Sequence, residues 1–110
     1  MELSEMKRIL KSIEDIKFTG ESRYQQENRG ITEQVILEFL KDRLDRLNFV
    51  EEQSDPHSKK FRLFFEKSNV YFLVIVCSIS EDEKYLNVIT EYISNKKRIK
   101  LNELWKKRHM

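Results

Sequence analysis

Apolar residues at Leu3, Met6, Ile9, Leu10, Ile13 and Ile16 recur at spacings of three and four, which predicts a helix with one buried face. Around Ile16 and Phe18 the pattern shifts to a short extended segment that ends at Thr19-Gly20. Glu21 to Arg29 is polar, with Tyr24 its one large apolar residue, and Gly30 closes it as a helix C-cap would. Thr32 is placed to cap a further helix, with Glu33 at its positive end. Val35, Ile36, Phe39, Leu40, Leu44 and Leu47 give that helix a wide apolar stripe.

From Arg46 onward the periodicity is that of strands. Leu47 to Val50 predicts a first strand, ended by the turn cluster Gln53-Ser54-Asp55-Pro56. Lys60 to Glu66 alternates, with Phe61, Leu63 and Phe65 facing one way and Arg62, Phe64 and Glu66 the other. Val70 to Ile79 is apolar on both faces and predicts an interior strand. Tyr85 to Ile93 predicts the last strand, with Leu86, Val88, Thr90 and Tyr92 on one face. Short connections between successive strands imply antiparallel pairing. Leu101, Leu104 and Trp105 predict a short terminal helix. The expected fold is α+β: N-terminal helices on one face of a four-stranded antiparallel sheet, followed by a basic C-terminal helix or tail.

Length and composition narrow the classes. A chain of 110 residues with 36% charged residues, two Gly and one Pro predicts a single domain over 1–110 without long linkers. Cys77 is the one cysteine, so no internal disulfide or multi-cysteine zinc site can form, and its apolar surroundings predict a buried structural thiol. The N-terminus lacks a secretion signal, and Val70–Ile79 is about half a bilayer span, so a soluble cytoplasmic chain without membrane contact is expected. No Gly-rich phosphate loop, His-x-x-x-His pair or Gly-x-Ser-x-Gly elbow is present, and no cofactor or metal is expected.

Charge is distributed unevenly. Residues 1–55 carry nine Lys and Arg against thirteen Asp and Glu, net −4, whereas residues 56–110 carry twelve against six, net +6. The tail at 94–110 alone holds seven bases and one acid, Glu103. Such polarisation favours a concentrated polyanion as partner, nucleic acid first.

Ile16-Lys17-Phe18-Thr19, then Arg29-Gly30-Ile31-Thr32 and Val35, is similar to the opening signature of a family of small uncharacterised domains related to the BrnT and RelE toxins. Val88-Ile89-Thr90-Glu91-Tyr92 resembles the end of that family's last strand, and the likeness runs from about 16 to 97. It implies a RelE-like fold and metal-independent RNA cleavage by attack of the ribose 2′-OH on phosphate, with RNA as substrate and an antitoxin protein as partner. A second copy of the chain is a further partner that the sequence leaves open. In the family's register a His falls on Glu21, its Ala on Ser22 and the next Arg on Gln25.

Cleavage of this kind needs cations around the phosphate, a base for the 2′-OH proton and an acid for the leaving oxygen. Arg62, Tyr92 and Lys96 are the candidate catalytic set. Arg23, Arg29, Lys97, Arg98, Lys100, Lys106, Lys107 and Arg108 are candidates for nucleic-acid binding. Lysine and tyrosine in their ordinary states are poor bases at neutral pH, so the base is the gap in this set. Each residue has a plainer alternative. Arg62 could form a cross-strand ion pair, with Glu91 as candidate partner. Tyr92 could be a half-buried sheet residue, Arg29 a helix-end residue, and His57 and His109 surface histidines. Beside the ribonuclease, the sequence therefore supports a non-catalytic nucleic-acid-binding module or an interaction domain whose basic tail docks an acidic protein.

Overall fold

The computed structural model describes residues 1–53 and 56–99, with side chains up to 97. Helix α1 (Leu3–Ser12) buries Met6, Ile9 and Leu10, the face its spacing predicts. Ser12 ends it: its hydroxyl donates to Ile9 O at 2.7 Å and to Glu83 O at 2.9 Å. Strand β1 (Asp15–Phe18) leads to α2 (Gly20–Arg29), where Thr19 Oγ1 accepts from Ser22 N–H at 3.1 Å. Gly30 ends α2 at φ 66°, in the left-handed region that glycine adopts without a Cβ clash. Helix α3 (Glu33–Asp42) starts at Thr32, whose Oγ1 accepts from Val35 N–H at 3.2 Å.

The apolar stripe expected of α3 through Leu47 stops short. Leu44 lies in a 3-10 turn (Leu44–Arg46), and Leu47 opens β2 (Leu47–Glu52), from which it still reaches the core. Strands β3 (Lys59–Glu66), β4 (Tyr71–Ile79) and β5 (Tyr85–Asn95) follow, then α4 (Lys96–Ile99). Strands β2 to β5 form the antiparallel meander that the short connections predict, and β4 is interior, between β3 and β5.

Two expectations are corrected. Among the described residues the sheet has five strands in the order β1-β5-β4-β3-β2 and is mixed, because Asp15–Phe18 pairs parallel with Tyr85–Val88. The extended segment around Ile16 and Phe18 is legible locally, but its pairing with residues about 70 positions away is not, because a parallel partner always lies beyond a long crossover. The second correction concerns β5. Its register against β4 slips between Val76 and Cys77, so that Cys77 faces Val88 and Val76 faces Thr90, leaving Ile89 as the extra residue of a bulge. Leu86 and Val88 therefore face the helices, whereas Thr90 and Tyr92 face the other side. The expected common face for these four residues is split in two.

Helices α1 and α3 cover one face of the sheet, where Phe61, Leu63, Phe65, Leu73, Ile75, Cys77, Leu86 and Val88 form the core with them. Cys77 is buried as expected, and burial pushes its thiol up to about 12. On the opposite face Phe64, Phe72 and Val74 are buried, with Phe49 and Tyr92 packed against them. Phe49–Phe64 and Phe64–Phe72 meet edge to face at 5.6 and 5.9 Å.

The β4–β5 turn is built on Ser80. Its hydroxyl donates to Asp82 Oδ1 at 2.6 Å and accepts from Tyr85 N–H at 3.0 Å. The Ser80 hydroxyl, then the Lys84 amide, hold the Asp82 carboxyl below its usual range.

Candidate nucleic-acid interface

The candidate residues gather on the sheet face away from α1 and α3. Alternation along β3 puts Lys60, Arg62, Phe64 and Glu66 there, since Phe61, Leu63 and Phe65 point into the core. Glu51 of β2 stands directly opposite Arg62 in the ladder, and Arg62 Nη1 lies 3.6 Å from Glu51 Oε1. The two side chains are only 24% and 12% exposed, so this pair is more shielded from water than an ordinary surface ion pair. Gln53 Nε2 also donates to Glu51 Oε1, at 3.2 Å. The ion pair expected of Arg62 is present, but with Glu51 in place of Glu91.

The β5 bulge explains the exchange. It turns Glu91 to the helix side, where the residue is wholly buried beneath α2 and accepts from Ser22 Oγ at 2.5 Å. Gln26 Nε2 donates in turn to Ser22 Oγ at 3.2 Å. Glu91 Oε2 is buried without a hydrogen-bond partner among the described residues. The bulge that withdraws Glu91 brings Tyr92 to the face holding Arg62.

Beyond Val88 the strand β5 has lost β1 as neighbour, and α2 supplies substitutes. Thr19 Oγ1 donates to Ile89 O at 2.9 Å, and Arg29 Nη1 donates to Glu91 O at 2.5 Å. The Arg29 guanidinium carbon then lies 5.9 Å from the centre of the Tyr92 ring, within cation–π range. Arg29 thus bonds a carbonyl of β5, where its plainer expectation was a carbonyl at the end of its own helix, and it carries positive charge to Tyr92 as well.

Arg62 and Tyr92 stand two strands apart and two residues out of step on the same face, roughly 12 Å in the sheet plane, with Val74 and Val76 between them. Lys96 opens α4 at the far end of the face. Its Nζ lies 2.9 Å from Glu66 Oε2 and 5.4 Å from the Phe72 ring centre, and Arg46 Nη1 is 3.8 Å from Glu66 Oε1. Phe64 and Phe72 lie between Lys96 and Arg62. The face is therefore a strip, Glu51–Arg62 on one side and Tyr92–Arg29 on the other, with Lys96–Glu66 at a separate corner.

Arg23 is exposed on α2, and Lys97 is exposed on α4 with its N–H donating to Asn95 Oδ1 at 2.9 Å. The side chain of Arg98, together with Lys100, Lys106, Lys107, Arg108 and His109, lies outside the described residues, as does the expected helix around Leu101, Leu104 and Trp105. Glu21 is exposed in the first turn of α2, where an acid is favourable beside the positive helix end. His57 is exposed at the β2–β3 turn.

Glu51 is the residue that sequence reasoning missed. Its signal was the alternation of Phe49 and Glu51, which becomes informative only when the hairpin register places Glu51 across from Arg62. Among the described residues no helix is long and apolar enough to cross a membrane. No protein family, curated protein or solved structure matches the chain.

Proposed function

We propose that this protein is a RelE-like ribonuclease toxin that cleaves RNA on the sheet face opposite α1 and α3 without a metal ion. The observation that carries the reading is the shielded pairing of Glu51 with Arg62, on the face that also bears Tyr92 and Arg29. It fills the gap left by the sequence, because a carboxylate beside a guanidinium couples a base to a phosphate-binding cation. Glu51 takes the proton from the ribose 2′-OH, and the 2′-oxygen attacks phosphorus as Arg62 neutralises the charge gathering on the phosphoryl oxygens. The bond from phosphorus to the 5′-oxygen breaks, and that oxygen takes a proton from the Tyr92 hydroxyl, which solvent restores. Arg29 and the basic residues from Lys96 onward hold the flanking phosphates. The products are a 2′,3′-cyclic phosphate and a 5′-hydroxyl. The resemblance of residues 16–19, 29–32 and 88–92 to motifs of a domain family related to the BrnT and RelE toxins supports this direction of chemistry, and an antitoxin would act by covering the same face.

A second reading, a nucleic-acid-binding module without cleavage, is favoured by Lys96. Its pairing with Glu66 behind Phe72 holds it at a corner away from Arg62. Incubating purified protein with RNA in excess EDTA separates the two. Cyclic-phosphate termini are expected for the ribonuclease; salt-sensitive binding of intact RNA would leave the binding module.

A further inference from the structure

Among the described residues strand β1 is an edge of the sheet, paired on one side only. Its amides at Asp15 and Thr19 donate to Lys84 O at 3.2 Å and Val88 O at 3.0 Å, so positions 15, 17 and 19 turn their main chain towards β5. Alternation in a ladder then directs the N–H and C=O of Ile16 and Phe18 outward. Among the described residues no hydrogen bond reaches those groups. Edge strands in soluble proteins are commonly covered or bulged away from new partners. Beside this one there is instead a cleft of about 770 Å³ between β1 and α3.

The cleft has a definite chemistry. Ile16 and Leu37 give it an apolar floor, and Glu14, Asp15, Glu38 and Asp42 surround it with carboxylates. Of its two bases, Lys41 Nζ donates to the carbonyls of Ile13 and Leu10, and Arg43 Nε pairs with the rim's own Glu38 Oε1 at 3.1 Å, so Glu14, Asp15 and Asp42 carry the excess of negative charge. A phosphate backbone is repelled by such a rim, whereas a cationic chain is drawn to it.

We infer that β1 and the α3 cleft form a docking site for an extended polypeptide of a partner protein, one that alternates basic and apolar residues and adds as a sixth strand. Its main chain pairs with Ile16 and Phe18, its apolar side chains meet Ile16 and Leu37, and its lysines or arginines meet the rim. A site of this kind at the β1 edge is remote from Glu51, which lies on β2 at the other edge, so the inference does not rest on the RNA reading.

The test uses the full chain and a capped eight-residue peptide of alternating lysine and valine, with amide exchange followed by NMR. The peptide should slow exchange at Ile16 and Phe18 tenfold or more, with little change at Lys17, whose amide already serves β5. Asp15→Lys combined with Asp42→Lys should weaken peptide affinity at least tenfold, and a glutamate–valine peptide should have no effect. Unchanged exchange at Ile16 and Phe18 under millimolar peptide, or an equal response to the glutamate peptide, overturns the inference. Protection that appears without peptide and grows with protein concentration overturns it too, by assigning the edge to a second copy of the chain.

Discussion

Cys77 and Glu91 occupy the same buried face of the sheet and illustrate two different kinds of burial. Desolvation pushes the Cys77 thiol up to about 12, so at neutral pH it stays in the unreactive thiol form. Native protein should therefore resist iodoacetamide and become labelled at the rate at which it unfolds; labelling as fast as a free thiol would contradict the assigned burial. Glu91 is polar and depends on one hydroxyl. Ser22→Ala should cost about 1–3 kcal/mol by urea titration, because it removes the partner of a wholly buried carboxylate. A loss below a few tenths would mean that water or another group serves Glu91 equally well. The burial of Cys77 was legible in its apolar neighbours. That of Glu91 was not, since a Glu between Thr90 and Tyr92 reads as solvent-facing until the bulge at Ile89 is known.

Helix boundaries were the most legible elements, because they are set by local chemistry. Thr19 and Thr32 cap α2 and α3 with their own hydroxyls, and Gly30 ends α2 in the left-handed region. The two glycines make a clean comparison. A Cβ at either position meets nothing within 4 Å, so only the backbone distinguishes them. Gly30→Ala should cost about 1–2 kcal/mol for forcing an L-residue to φ 66°, whereas Gly20→Ala, at the first position of α2, should be neutral or slightly stabilising. Equal effects at the two sites would contradict the assigned cap. Strand pairing was legible only where it was local. The β2–β5 meander follows from short turns, but the parallel β1–β5 pair and the bulge depend on contacts that no sequence window contains.

At the scale of the whole molecule, charge and fold act together. The acidic half of the sequence supplies the rim of the α3 cleft and Glu51, and the basic half supplies Arg62, Lys96 and the tail. The general area of the candidate site could thus be read from Arg62, Tyr92 and the basic run. Its composition could not, because the partner of Arg62 is set by hairpin register and the face of Tyr92 by a bulge. The central claim is that Glu51 and Arg62 act as a unit on RNA, and single-turnover cleavage in EDTA, measured alongside RNA affinity, addresses it most directly. Arg62→Ala should lower the rate by about 10²-fold or more, and Glu51→Gln by about 10²- to 10⁴-fold, with circular dichroism unchanged. RNA affinity should fall with Arg62→Ala and hold with Glu51→Gln. Wild-type protein that binds RNA yet leaves it intact, or a Glu51→Gln variant that cleaves at the wild-type rate, would contradict the account.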